Sequence, residues 1–320
     1  MKRIRAAVIG VGYLGKFHAE KYASLSDVEL VGVVDPDAVR AAEVSAAVGA
    51  PAFSDYRELA GRVDLVSIVV PTRMHYETAA FFLDKGIHVL LEKPITTTVK
   101  EAVDLISIAD RKGLVLQVGH LERFNPALEA VRNDIVHPGF IDAIRVAPYK
   151  PRGTDVSVVL DLMVHDLDII NTLINSKIAS ISASGASVFS SEPDIANARI
   201  EFVNGATANV TASRISPKSE RRMLVFQEDA YISVDFQNRK SAIHRKGEGE
   251  SAPGVPAVIS QEIDVPQKDQ ILAEIRAFID SVKTKSTPAV TGTDGMRALE
   301  VALLIEEKVR ENLRLLGSSK

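Results

Sequence analysis

The chain has 320 residues, no cysteine, 46% apolar and 25% charged residues, and a formal net charge of −4. Disulfides and thiolate chemistry are excluded, and nothing in the charge balance favours nucleic acid or an anionic membrane as partner. The length predicts two domains, each large enough for its own core.

"MKRIRAAVIGVGYLG" puts basic residues before an apolar run, as a secretory signal does. That run is short, glycines break it and no small-residue cleavage site follows, so it is not read as a signal. No stretch approaches the roughly 20 apolar residues of a membrane span. The expected compartment is the cytoplasm.

In chain order, "AAVIG" (6–10) is an apolar strand, followed by a helix from Gly15 to Leu25. "VELVGVVD" (28–35) is a second strand, and a helix over 38–49 stops at Gly49, as a C′ glycine would stop it. Strands at 63–70, 87–94 and 114–119 alternate with helices at 75–86 and about 97–112. Near-continuous apolar strands alternating with helices predict an α/β domain, a doubly wound parallel sheet, over residues 1–122. Beyond it the pattern changes. After a helix near 125–133 and another around 160–170, strand-like runs follow at 180–189, 197–203, 206–214, 222–227 and 230–236. Short turns between them predict an open, mostly antiparallel sheet. Residues 241–267 read as an exposed loop or hairpin, and helices at about 268–284 and 293–313 close a second α/β domain spanning 123–320. Such a sheet needs its second face covered, and a partner subunit is one common way, so an oligomer is expected.

Gly10-Val11-Gly12-Tyr13-Leu14-Gly15 is GxGxxG after a strand and opening a helix. In that setting Gly10 makes the tight turn, Gly12 admits a pyrophosphate to the backbone, and Gly15 lets the helix pack on the strand. The helix N-terminus then meets the phosphates with unpaired N–H groups, and Tyr13 and Leu14 complete the loop. Asp35, 20 residues beyond Gly15 at the end of the second strand, is placed to accept from a ribose 2′-hydroxyl. Its carboxylate would repel a 2′-phosphate, so NAD is expected rather than NADP, although Arg40 would soften that preference. Glu92 and Lys93 lie just past another buried strand, where α/β sheets bind ligands. Position alone leaves two readings: a lysine beside a nicotinamide ring, or a surface pair capping a strand.

"LDLMVHDLD" (160–168) puts Asp161, His165 and Asp168 within about 60° on a helical wheel, beside an apolar face of Leu160, Met163, Val164, Leu167 and Ile170. Carboxylates at i−4 and i+3 would orient the histidine and raise its pKa. No second His/Asp set at ligand spacing accompanies it, so no metal is expected. An ordinary amphipathic helix and an acid–base site stay open on these residues alone.

The GxGxxG start, "PTRMH" (71–75), "HVLLEKP" (88–94) and the Asp-x-x-x-His of 161–165, in that order, resemble the glucose–fructose oxidoreductase / inositol 2-dehydrogenase (Gfo/Idh/MocA) family along the whole chain. The resemblance implies a Rossmann domain followed by an α/β domain whose open sheet makes dimer or tetramer contacts. It also implies NAD(P)-dependent redox chemistry at a sugar or cyclitol hydroxyl. Lys93 would then lie beside substrate and nicotinamide, and Glu92 would hold the nicotinamide ribose. Pro71, Thr72 and His75 would line the cofactor cleft. His165 would exchange a proton with the substrate hydroxyl, Asp161 would orient it or bind a neighbouring hydroxyl, and Asp168 would be a further orienting partner. Family members often have glycine at the position of Met163.

"GHLERFNPA" (119–127) with "DLMVHDLD" resembles most the subgroup that oxidises UDP-N-acetylglucosamine to its 3-keto sugar, a step toward amino-sugar lipid A. A dehydrogenase for the related uronic acid, for inositol-type cyclitols or for free sugars remains an alternative, as does a non-catalytic NAD-binding regulator. Arg123 and Asn125 would reach substrate or act as inter-domain donors. Arg214, Lys218, Arg221 and Arg222 around Ser216-Pro217 suit a sugar-nucleotide diphosphate, or equally a solvated hairpin. Lys150 and Arg152 are further candidates.

Overall fold

Six parallel strands in the order β3-β2-β1-β4-β5-β6 form the sheet of the first unit. They are β1 (Ile4–Ile9), β2 (Val28–Val34), β3 (Ala52–Phe53), β4 (Leu65–Ile68), β5 (His88–Glu92) and β6 (Leu116–Gly119). A computed structural model describes residues 3–150 and 156–318, the last three through their backbone alone. Every residue of β4 and of β6 is buried, as strands covered on both faces require. Helices α1 (Gly15–Ser24), α2 (Ala38–Val48), α3 (His75–Asp84) and α4 (Val99–Lys112) form the crossovers. Gly49 ends α2 in the left-handed conformation, φ 69°, and a Thr98/Glu101 capping box starts α4. Strand order and connections give the doubly wound sheet expected, with its reversal point at β1 and β4.

The chain divides into two compact units, residues up to Leu121 with Asp269–Leu299, and Glu122–Lys268 with residues from Glu300 onward. This differs from the expected 1–122 and 123–320. Helix α7 (Gln270–Thr284) belongs to the first unit because Ile275, Phe278 and Ile279 are buried in one apolar cluster with Ala6, Val8, Tyr22, Leu25 and Val28. Helix α8 (Gly292–Ser318) begins in the first unit and ends in the second.

In the second unit the described residues form an eight-stranded sheet. Its strands are β7 (Phe140–Val146), β8 (Ile178–Ala186), β9 (Ile195–Phe202), β10 (Thr207–Ser213), β11 (Glu220–Phe226), β12 (Ala230–Asp235), β13 (Lys240–Ala252) and β14 (Val255–Ile263), ordered β14-β13-β12-β11-β7-β10-β9-β8. The sequence reading missed β7, which lies mid-sheet, parallel to β10 and antiparallel to β11. Its alternation is inverted: Phe140, Ile144 and Val146 point to the more open face, while Arg145 is buried with Ile141 and Ala143. Residues 241–267 turn out to contain the β13–β14 hairpin. Helices α5 (Pro126–Val131) and α6 (Val164–Ile174) belong to this unit. Among the described residues no helix is long and apolar enough to cross a membrane.

Candidate active site

The cofactor cradle of the first unit is built from backbone. Gly10 sits at φ +85°, and a Cβ there would meet the Val69 carbonyl at 2.5 Å. A Cβ on Gly15 would come 1.9 Å from the Gly10 carbonyl oxygen, so α1 packs directly on the turn. Gly12 faces open space, with no atom within 4 Å of its Cβ direction. Gly10 and Gly15 thus stand where no side chain fits, and Gly12 where the backbone is open. Helix α1 has no side-chain cap at Leu14 and no acidic residue in its first turn, leaving its amino end for an anion. Tyr13 is exposed beside it, its ring edge-on to Phe17.

Asp35 is buried at the carboxyl end of β2 and accepts from the N–H groups of Val11 and Asp37, both at 3.0 Å. One carboxylate therefore locks the glycine-rich turn to the end of β2. Arg40 pairs with Asp35 at 3.1 Å and with Asp37 at 3.1 Å. Pro71 and Thr72 follow β4, exposed and half-buried. His75 departs from the expectation that it lines the cleft. It is 1% exposed, with ring nitrogens 2.8 Å from the Pro94 carbonyl and 2.9 Å from that of Val70. Burial pushes its pKa down, with the two carbonyls opposing, and its role is to tie the ends of β4 and β5 together.

Glu92 ends β5 and is nearly buried, and half-buried Lys93 follows it. The Lys93 N–H donates to Glu92 Oε2 at 3.2 Å. Gly119 makes room for this carboxylate, since a Cβ there would lie 2.8 Å from Glu92 Oε1.

In the second unit Val159–Met163 is a π-helical turn, and α6 starts only at Val164. The uniform helical wheel drawn over 160–168 therefore does not hold: the wider turn rotates Asp161 relative to His165, and such turns recur at functional sites. Met163 is wholly buried, which explains the large apolar side chain there. Asp161 and His165 are both half-buried.

Two buried forks fix α6. Arg123 Nε and Nη2 donate to Asp168 at 2.6 and 2.7 Å, and Arg145 Nε and Nη2 donate to Asp166 at 2.8 and 2.9 Å. Arg145 also reaches Glu122 at 2.7 Å. Burial alone would lower the Arg145 pKa, but Asp166 and Glu122 more than offset it and the group is raised. Burial works against the Glu122 charge too, yet Arg145 overrides it and holds that carboxyl below its usual range. Asp168 is clamped by Arg123 through both carboxylate oxygens, so the Arg123 fork serves the helix and the residue acts as a buried donor. Asn125 is a buried donor too: it caps α5 through Ala127 N–H, and donates to Glu122 at 2.9 Å and the Phe236 carbonyl at 3.1 Å.

The basic cluster of 214–222 does not converge. Arg214 is buried, donating to the Val156 carbonyl and lying 3.9 Å from Asp194. Lys218 is exposed and pairs with Glu220 at 3.0 Å. Arg222 stands opposite Ile144, on the face turned away from α6, whereas Arg221 stands opposite Arg145 on the α6 face and lies 3.8 Å from Glu122. Successive strand residues point to opposite faces, so Arg221 and Arg222 cannot clamp one diphosphate. Lys150 is exposed, and Arg152 lies outside the described residues.

A family profile described as "Oxidoreductase family, NAD-binding Rossmann fold" matches residues 4–120, and the GFO/IDH/MocA C-terminal domain matches 143–233. UDP-N-acetylglucosamine 3-dehydrogenase of Acidithiobacillus ferrooxidans is 39% identical over 98% of this chain and 100% of its own. The chain belongs to the GFO/IDH/MocA oxidoreductase family. Its similarity to the solved structure of that same A. ferrooxidans enzyme has a TM-score of 0.93, covering 98% of this chain and 99% of the other. The NAD-dependent scyllo-inositol 2-dehydrogenase of Bacillus subtilis is 27% identical over 97% of this chain and 95% of its own. The structure of Lactobacillus casei scyllo-inositol dehydrogenase with NAD(H), at 19% identity and TM-score 0.81, shares the fold.

This GFO/IDH/MocA chain is thus an oxidoreductase whose first unit is an NAD-binding Rossmann domain. Reading the sequence missed Arg145, Asp166 and Glu122, the anchors of α6, and also His18 and Glu274. An arginine at an inward position of an alternating strand was the available signal for Arg145.

Proposed function

We propose that this chain oxidises a secondary hydroxyl of a UDP-sugar, taking UDP-N-acetylglucosamine to its 3-keto derivative with NAD as oxidant. The observation that carries this reading is the 39% identity, end to end, with a UDP-N-acetylglucosamine 3-dehydrogenase. Gly12, the uncapped amino end of α1 and Asp35 suit the cofactor's pyrophosphate and ribose, and Glu92 holds its nicotinamide ribose. When bound, the nicotinamide supplies the hydride acceptor. His165 removes the hydroxyl proton, assisted by Lys93, and Asp161 orients the histidine or receives a neighbouring hydroxyl. The π-helical turn and the two Arg–Asp forks fix the backbone from which Asp161 and His165 project.

The product would serve as a precursor of lipid A or surface polysaccharide, made in the cytoplasm. A homodimer or homotetramer is supported by the sheet face turned away from α6. There Phe226, Tyr231 and His244 stack in a row, with Phe226–Tyr231 centroids 5.0 Å apart and Tyr231–His244 4.8 Å, and Phe140 meets Phe226 at a tilt. A cyclitol dehydrogenase is the second reading, supported by the 27% identity with a scyllo-inositol enzyme.

The test is to incubate the protein with NAD and a panel of UDP-sugars, free sugars and inositols, following the NADH absorbance band and the product mass. The expected product is UDP-N-acetylglucosamine lacking two hydrogens. Turnover of inositol alone moves the reading to the cyclitol class. Tight NAD binding with no turnover of any panel member sinks the enzymatic reading of this site.

A further inference from the structure

Behind Glu92, inside the first unit, lies a polar cluster that hydride transfer does not require. Helix α7 packs on α1 and β5 and carries Glu274 on its inner side, 0% exposed. Neither carboxylate oxygen of Glu274 has a hydrogen-bond partner among the described residues, nor does His18 Nε2. Single ligand atoms of His18, Glu92 and Glu274 all lie within 4.8 Å of one another, and His18 Nε2 is 3.5 Å from Glu92 Oε1. The other nitrogen of His18 is 3.3 Å from Ser67 Oγ, which meets Tyr22 Oη at 2.9 Å. Gln117 donates to the backbone carbonyl of Glu274 at 3.1 Å, tying that turn of α7 to β6.

A buried acid without a partner costs stability, and an apolar side chain of the same size would not. Its presence among Ile275, Phe278 and Ile279 therefore needs a reason beyond packing. Two carboxylates this close, one of them fully out of water, do not both ionise. Burial first, and the Glu92 charge second, raise the Glu274 pKa well above the carboxylate range. Glu274 thus keeps the proton. A proton-bearing acid is a hydrogen-bond donor, and gaps of this size between buried polar groups are ones that a single water spans.

We propose that Glu274, with His18, is a positioning residue for Glu92, bracketing its carboxylate from behind so that it meets the nicotinamide ribose in one orientation. The proposal rests on the reading of Glu92 as the ribose-holding group. From in front, the Lys93 N–H and the space over Gly119 complete the bracket. Among the described residues, Glu274 is faced by His18 and Tyr22 from α1, Glu92 from β5 and Gln117 from β6, and Ser67 from β4 stands behind His18 and Tyr22.

The test uses the full chain, with NAD affinity by calorimetric titration and Tm followed from pH 5 upward. Glu274→Leu removes the donor without opening a cavity and is expected to weaken NAD binding roughly tenfold, without lowering Tm. Glu274→Gln restores a neutral donor and is expected to recover most of that affinity. Because the folded-state pKa of Glu274 lies above its unfolded value, native stability falls as pH rises through that window. Glu274→Gln removes this loss, so its Tm should gain on the native protein as pH rises. Native-like NAD affinity in Glu274→Leu overturns the proposal, and so does a Tm difference between Glu274→Gln and the native protein that does not change with pH. One equivalent of divalent metal retained by the purified protein also overturns it, because both carboxylates would then be charged ligands. Glu92→Gln separates the layers. If its NAD affinity is also unchanged, the ribose reading of Glu92 has failed. If Glu92→Gln weakens binding and Glu274→Leu does not, only the present proposal has.

Discussion

The glycine-rich turn of the first unit and the anchored helix of the second hold their functional groups by opposite means. The turn is made of main chain: three glycines within six residues and one carboxylate, Asp35, accepting the Val11 N–H. The helix is held by side chains far apart in sequence, Arg145 and Asp166 separated by 21 residues and Arg123 and Asp168 by 45. A cradle for a phosphate needs donors in a fixed arc, and backbone geometry supplies them locally. The proton-transfer role proposed for His165 needs one orientation of one ring, and that demands fixing a whole helix about its axis. Asp166 and Asp168, each in a bidentate fork, do this from two directions.

The sharpest contrast comes from His165→Ala, expected to lower turnover by ~10²–10⁴-fold while leaving NAD affinity nearly intact. Steady-state kinetics beside an NAD titration read the two quantities separately. A parallel loss of NAD affinity would break the division of labour drawn above. Next in size is Arg145→Met, which strands Asp166 and Glu122 in the interior and should cost about 3–5 kcal/mol in a denaturant titration. Adding Asp166→Leu should recover much of that stability. Turnover that stays low after the recovery would show that the fork serves orientation as well as folding.

The turn responds differently. Gly12→Ala meets open space and should leave Tm unchanged while weakening NAD binding on the order of tenfold. Gly15→Ala drives a methyl into the Gly10 carbonyl and should lower both Tm and NAD affinity. The smallest effect is expected at Asp194, which accepts from the N–H groups of Val188, Phe189 and Ser190 and from the Ser190 hydroxyl. Burial would raise this carboxyl, but those donors override it and bring its pKa to about 2. With the folded value below the unfolded one, its contribution is present above the ordinary aspartate value and fades as pH falls toward 2. The native protein should therefore lose Tm more steeply between pH 4 and pH 2 than Asp194→Asn does.

How much was legible in the residues follows the same divide. The turn through Gly10, Gly12 and Gly15, and its neighbour Asp35, stood out because their spacing encodes a backbone shape. The strands around them were visible because parallel strands buried on both faces are apolar throughout. The second unit hid more. β7 reads poorly because its buried face carries Arg145 while Phe140 and Ile144 face outward. The partners of Arg123, Asn125 and Asp168 were hidden for one physical reason: charged and amide side chains near a site look like ligand contacts until their buried partners are seen. The π-helical turn left no periodic signal, since a single extra residue in one turn is invisible to a wheel drawn at fixed pitch.

The first unit is written in two pieces, and that sets an order of events during synthesis. Its apolar cluster needs Ile275, Phe278 and Ile279 beside Tyr22, Leu25 and Val28. A nascent chain leaving the ribosome therefore cannot seal this core until the whole of Glu122–Lys268 has already been made. The amino-terminal segment must wait with an apolar seam uncovered, the situation in which chaperones are recruited and aggregation competes. An expressed fragment ending at Leu121 would stay in that waiting state, whereas one that splices residues 269–299 back onto it would carry the missing side of its core.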